Sequence, residues 1–344
     1  MGKKFDVVIG NPPYQEEAQG DATHAMPIYD KFMDAAYEVA EKAVLITPAR
    51  FLFNAGYTPK AWNQKMLNDR HLRVAHYVPN SDELFPGTDI KGGIAVTYWD
   101  KSRDNEPIDT FSSFTELNSV LHKVNSDHGG SLGSVITSSR SYAYTDRMHA
   151  DHPEAAGSMA KGEQNKVNTR TFELLPFLYS DTLPDGTHAY VRVLGLIKNR
   201  RFTRWIRKDY ITGPTSFDKF KVALPAANGS GTLGEVLSSP LVVEPGVAVT
   251  QTFITIGAFD DEADAQACLK YVKTKFARAM LGILKITQHN PAKVWKHVPL
   301  QDFTEASDID WTKPIPEIDQ QLYAKYGLDQ AEIDFIESHV KPMS

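Results

Sequence analysis

Asn11-Pro12-Pro13-Tyr14 puts an amide side chain, backbone carbonyls and an aromatic ring into one four-residue turn. Two successive prolines fix φ and remove two backbone donors, so the chain must pass through here as a rigid, extended elbow. Such a set suits one reaction. The exocyclic amine of a nucleobase is a poor nucleophile because its lone pair is delocalised into the ring. Two acceptors aimed at its N–H bonds, the Asn11 side-chain oxygen and the Pro12 carbonyl, favour the tetrahedral geometry needed for attack. Tyr14 can stack on a base swung out of a duplex. With a sulfonium methyl donor no side-chain nucleophile is needed, and positioning carries most of the catalysis.

The surrounding pattern predicts the elements that hold the elbow. Val7 to Ile9 read as a buried strand that stops at Gly10. Residues 15–25 read as a polar loop over a base pocket, with His24 a loop residue rather than a base. Pro27 opens a helix in which Ile28, Phe32, Ala35, Ala36 and Val39 fall at helical spacing. Ala43 to Thr47 is a second strand closed by Pro48, a helix covers Pro59 to Leu67, and Leu72 to Val78 and Ile94 to Trp99 are strands. Strand, elbow, helix and strand in this order form a right-handed βαβ unit of a parallel sheet.

The elbow and its strand resemble motif IV of amino-directed DNA methyltransferases in the N6-adenine form, with Asn11, Pro12 and Tyr14 matching position for position. The connection Ser81 to Gly93, the "KITQ" and "VPL" segments near residues 285 and 298, and the closing "YGLDQAEIDFIESHVKPM" resemble fused restriction-modification enzymes, which carry methylase and target recognition in one polypeptide. The resemblance implies an α/β fold: a partial Rossmann-like methyltransferase sheet over residues 1–125, a loop-rich linker over 126–170, and a mixed α+β target recognition domain over 171–344. It implies Asn11, Pro12, Pro13 and Tyr14 as catalytic residues, S-adenosylmethionine as donor and double-stranded DNA as partner, while the lone cysteine and the lack of a signal-like or membrane-length apolar run point to a cytoplasmic location. Asp6 and Gly10 are the candidate donor-side residues. Phe85 and Lys91 are candidates for the second face of the base and for a phosphate, or members of a loop packed on the sheet edge.

One departure shapes the expectation. In most such enzymes a glycine loop and a ribose-holding acidic residue precede the NPPY strand, and here four residues do. The donor half of the site is therefore expected from an upstream methylase or helicase-nuclease chain or domain, with this sequence a fragment or a partner-dependent chain. Gly229-Ser230-Gly231-Thr232-Leu233-Gly234 fits G-x-G-x-x-G, but Pro225 intervenes after the preceding strand and no long helix follows. It reads as a loop.

Charge is unevenly spread. The net charge is −6, yet Tyr190 to Lys221 carries nine Lys or Arg against two Asp, a net of +7. Ala265 to His297 carries seven Lys or Arg and no acid, again +7, and from Asp302 onward ten acids face three lysines. Basic stretches neutralise phosphates. The candidate DNA contacts are Lys198, Arg200, Arg201, Arg204 and Arg207 in the first stretch, and Lys285 and Gln288 in the second. Strands are expected around Tyr190–Leu194, Phe220–Leu224, Leu241–Val243 and Thr252–Ile256. Asp261 and Glu262 open a long helix to about Leu284, with Lys270, Lys273 and Arg278 off its apolar stripe. Cys268 stands alone, which excludes a disulfide within the chain and a thiolate metal cluster. His149, His152 and Glu154 lack a second ligand pair, so no metal is expected. No apolar run is long enough to span a membrane. Two other readings stay open: a DNA-binding specificity module that cannot methylate, and an RNA or protein methyltransferase, which the basic second half disfavours.

Overall fold

The computed structural model describes residues 5–16, 26–126, 129–184, 186 and 188–343. Of the loop expected over residues 15–25, residues 17–25, His24 among them, lie outside the described residues. The chain divides into two compact units, residues 1–118 and 119–344.

The first unit is built on a four-stranded sheet of β1 (Phe5–Gly10), β2 (Ala40–Pro48), β3 (Leu72–Val78) and β4 (Ile94–Asp100), in the order β1-β2-β4-β3. β1 runs parallel to β2, with Val7 opposite Lys42 and Ile9 opposite Val44, while β4 is antiparallel to β2 and β3. Helix α1 (Tyr29–Val39) makes the crossover and α2 (Lys60–Leu67) follows. The βαβ order read from the sequence is present. Its burial is not as expected. β1 is an edge strand, and Phe5, Val7 and Ile9 are 56%, 47% and 77% exposed. Apolar, β-branched residues identify a strand; they do not say what lies beside it. The buried stripe of α1 is Tyr29, Met33 and Ala36, and the expected stripe through Phe32 and Ala35 is the more exposed one. α1 is apolar on two sides, and the sheet takes one. Behind it Phe51, Trp62, Met66, Leu72 and Trp99 form the core, with Tyr37 stacked on Trp99 at 4.8 Å.

Helix α3 (Thr115–Ser126) follows, and the second unit then carries three small sheets. One is ordered β11-β10-β13-β5, from β5 (Ile136–Thr137), β10 (Phe220–Pro225), β11 (Leu241–Val243) and β13 (Phe253–Phe259). The next is β12-β7-β8, from β7 (Tyr190–Ile197), β8 (Arg200–Arg207) and β12 (Val247–Val249), and the last pairs β6 (Ala143–Tyr144) with β9 (Ile211–Thr212). Helices α4 (Asp146–Asp151), α5 (Thr171–Leu174), α6 (Glu262–Lys273), α7 (Lys275–Gly282), α8 (Ile315–Lys325) and α9 (Gln330–His339) complete it.

Two expectations are corrected here. Residues 126–170 are not a linker in this unit: Tyr142, Tyr144, Met148, Ala155 and Val167 enter the same core as Phe172, Val193 and Ile206. Their elements are only two to six residues long, too short to show periodicity. The long helix also breaks. Thr274 is buried at the junction, donates from Oγ1 to the Tyr271 carbonyl at 2.7 Å and accepts from the Ala277 amide at 3.1 Å, capping α7. Asp319 on α8 accepts from the Lys275 and Phe276 amides at 3.1 and 2.9 Å.

Several cations are interior. Arg278, expected off the apolar stripe, is 2% exposed and donates to the carbonyls of Lys273, Thr274 and Lys341. Burial lowers its guanidinium to about 10. Lys221 is fully buried, donates to the carbonyls of Phe217, Lys219 and Glu244, and is pushed down to about 8 by that burial.

Burial raises the Asp319 carboxyl to about 6. Folding therefore favours its protonated form, a contribution fully present below the ordinary carboxylate range and lost as pH rises through about 6. Urea denaturation of the wild type and Asp319→Asn should show a difference between them that shifts by on the order of 1 kcal/mol between pH 5 and pH 7.5. A constant difference across that range refutes the linkage.

Candidate active site

The elbow leaves the carboxyl end of β1, the end at which open α/β sheets hold their ligands. Its exit is fixed by backbone bonds: Ile28 donates to the Tyr14 carbonyl at 3.2 Å and Glu16 to the Met26 carbonyl at 2.9 Å, tying the turn to the start of α1. Lys31 adds an exposed pair with Glu16 at 3.0 Å. Asn11 and Pro13 are exposed, whereas Pro12 and Tyr14 are half-buried. Burial pushes the Tyr14 phenol up, with the Asn11 side chain pulling the other way. The ring is neutral at physiological pH, as a stacking surface for an uncharged base requires.

The elbow separates two recesses. On one side Tyr14 lines a cavity of about 220 Å³ together with Tyr29, Pro48, Arg50, Tyr57 and Asp89. On the other, Asn11 and Pro12 line an apolar cleft of about 350 Å³ with Val8, Gly10, Phe32, Val39 and Leu45. The exposed stripe of α1 thus forms one wall of this cleft. A side chain at Gly10 would meet only Leu45, at 3.9 Å, and its φ is not in the left-handed region, so nothing inside the chain demands glycine there. Asp6 is exposed and, by strand alternation, shares the face of Val8 and Gly10.

Sequence reasoning missed Arg50 and Tyr57. Arg50 follows the Thr47-Pro48 end of β2, and its aliphatic stem is gripped between two glycines. Built Cβ atoms at Gly56 and Gly92 would lie 3.2 and 2.9 Å from it, and both glycines have φ near +86°, which a side chain tolerates poorly. The guanidinium donates from Nε to the Lys91 carbonyl at 2.5 Å. Tyr57 is 60% exposed on the same cavity. The signal was the glycines at 56, 92 and 93. From the Ser81–Gly93 connection it is Asp89 and Ile90 that reach the cavity. Phe85 is half-buried in a turn whose amide donates to the Ser81 carbonyl at 2.8 Å, and Lys91 pairs with Asp89 at 2.7 Å.

Five of the candidate DNA contacts are brought together on the β7–β8 hairpin: Lys198, Arg200, Arg201, Arg204 and Arg207. Three of them are engaged. Arg204 pairs with Asp181 at 2.7 Å, Arg207 with Asp209 at 2.6 Å and Asp151 at 3.2 Å, and Arg201 donates to the Ser238 carbonyl at 3.3 Å. Gln288 is exposed elsewhere in the unit. Lys285 is not on a surface: it is 4% exposed and its ammonium is paired with Glu235 and donates to the Asn228 carbonyl at 2.8 Å. The same Glu235 accepts from the Ser230 and Gly231 amides at 2.8 and 3.2 Å. The G-x-G-x-x-G turn is filled by the chain's own carboxylate, and a Cβ at Gly231 would lie 2.3 Å from the Ile286 and Thr287 backbone. It is a packed loop. Among the described residues no cluster of His, Cys, Asp or Glu could hold a metal ion, and no helix is long and apolar enough to cross a membrane.

Residues 1–85, which contain the elbow, both recess walls from α1 and β2, and Arg50, match the family model of the Eco57I restriction-modification methylase. A curated relative is 25% identical over 174 residues, covering 48% of this chain and 40% of its own length: an "uncharacterized adenine-specific methylase" of Mycoplasma pneumoniae (strain ATCC 29342 / M129 / Subtype 1). The chain therefore spans less than half of that relative. Two solved structures align at 9% identity over 97% of this chain: the type IIG restriction endonuclease BpuSI, covered over 53% with a TM-score of 0.33, and the type IIL restriction-modification enzyme MmeI in complex with DNA, covered over 56% with a TM-score of 0.30.

Removing Glu235 leaves the buried Lys285 charge unpaired, so Glu235→Ala should cost about 3 kcal/mol. The double variant Glu235→Ala, Lys285→Met should regain most of that in urea denaturation. Equal losses in the single and double variants would show that the pair is not what holds the loop.

Proposed function

We propose that this chain carries the amine-handling elbow of an adenine N6-methyltransferase of a restriction-modification system, acting on double-stranded DNA. The carrying observation is the elbow itself: Asn11, Pro12 and Tyr14 stand at the carboxyl end of a parallel strand, between an apolar cleft and a separate cavity beside Tyr14. The cavity receives the extruded adenine, with Tyr14 against its face. The Asn11 side-chain oxygen and the Pro12 carbonyl accept from the two N6 hydrogens and turn the nitrogen lone pair towards the cleft. S-adenosylmethionine, when bound, supplies an electrophilic methyl group on a sulfonium. Its apolar parts fit the cleft, where Gly10 leaves the backbone bare and Phe32, Val39 and Leu45 exclude water. Asp6 and Gly10 border the donor side.

The donor site needs more than this cleft. We assign the remainder to an upstream methylase or helicase-nuclease chain or domain that pairs with the open edge of β1, where Phe5, Val7 and Ile9 are exposed.

The test is methyl transfer from labelled S-adenosylmethionine to duplex DNA, with and without the upstream gene product, alongside calorimetry of donor binding. Asn11→Ala should keep donor binding and lose about 10²-fold or more of transfer. Gly10→Leu should lose donor binding while melting at the wild-type temperature. Transfer indifferent to Asn11→Ala, or label found on RNA or protein, sinks the reading. Duplex binding with no transfer under any combination selects the specificity module.

A further inference from the structure

The β7–β8 hairpin divides its own charges into two classes. Beyond Arg200 the arginines of β8 are spoken for. Arg204 is held by Asp181 and lies over the Phe172 ring at 5.5 Å, and Arg207 is held by Asp151, Asp209 and the Tyr210 hydroxyl. Arg201 is braced by the Ser238 and Ser239 carbonyls and lies over the Phe253 ring at 5.7 Å. Leu196 and Ile197 pack on the unit's core, and Ser180 closes the outer edge of β8 at Trp205 with backbone bonds of 2.8 and 2.9 Å. The mount is rigid.

The tip is different. Residues 198–203 are all exposed, including Phe202 at 40%. Lys198 and Arg200 make no side-chain hydrogen bond or ion pair among the described residues. Lys198 and Asn199 form the two-residue turn with φ of +48° and +62°. Such turns take Asn or Gly without penalty. Asn199 suits the turn; a lysine in the left-handed region is strained, and no contact of its side chain inside the chain offsets that. The part of the hairpin clear of the unit's own packing is the turn, Lys198 and Asn199, with Arg200 beside it. The major groove of DNA is about 12 Å wide and about 8.5 Å deep, and admits a two-stranded ribbon.

We propose that this hairpin is the ribbon that enters the major groove of duplex DNA, with Arg200 reading a base edge and Lys198 gripping the phosphate backbone. A fixed guanidinium fork matches the paired acceptors of a guanine edge, the flexible ammonium suits a phosphate, and Phe202 offers an apolar contact for a thymine methyl. The inference rests on the reading of the chain as a DNA-acting protein.

The full chain is incubated with a random-sequence duplex pool, retained duplexes are sequenced, and affinities are measured across a salt series, with single-stranded RNA as competitor. Wild type should enrich a sequence preference. Arg200→Ala should lower affinity for the enriched duplex about tenfold and relax the preference at one or two adjacent base pairs. Lys198→Gly should melt no lower than wild type, weaken binding evenly across sequences, and reduce the salt slope by about one. Wild-type selectivity and affinity in both variants overturn the ribbon while leaving the methyltransferase reading intact. Failure of the wild type to retain any duplex, or a preference for the RNA, overturns both.

Discussion

A β-strand cannot continue through two prolines. The shape of the candidate site in the first unit follows from that. Pro12 and Pro13 strip the backbone of donors just as β1 leaves the sheet, so the chain turns out with its direction fixed. The bonds from Ile28 and Glu16 then close the turn onto the start of α1, and the helix can cross back to pair β2 in parallel with β1. The Asn11 amide is exposed at the mouth of the cleft, and Tyr14 is half-buried because α1 and the end of β2 reach it. Site geometry here is a product of backbone stiffness rather than of ion pairs.

The second unit is organised by the opposite device: cations inside. Arg278, Lys221 and Lys285 are each nearly or wholly buried, and each is surrounded by backbone carbonyls or by one carboxylate. Taking a charge out of water is unfavourable unless its donors are met. Arg278 and Lys285 meet theirs by joining segments far apart in the chain, such as the 228–235 loop to the segment after α7. Basic composition is therefore a poor guide to basic surface in this unit. A stretch with a net of +7 contributes a strut and a loop anchor where a phosphate contact was expected.

That contrast explains what could be read from the residues. The elbow, the βαβ order and the strands of the first unit were legible because proline chemistry and apolar alternation are local, whereas the charged strand Arg200–Arg207 was not read as a strand. β1's exposure was not, since Phe5, Val7 and Ile9 have the same composition whether a neighbour covers them or not. The break at Thr274 was hidden for a related reason: threonine is tolerated within helices, and only the approach of Asp319 to the following amides makes it a cap. Arg50 was invisible because its orientation depends on Gly56 and Gly92, which converge on it from six and forty-two positions away.

The open side of β1 has a consequence for how such a chain is kept soluble. Edge strands are usually blunted by a lysine, a proline or a bulge, so that they do not recruit strangers. β1 has only Asp6 for that purpose, and its prolines come after the strand has ended. A blunting proline or charge placed further back in β1 would disturb the strand from which the elbow is launched. The demands of the turn that follows it thus leave the strand with the backbone of a pairing edge.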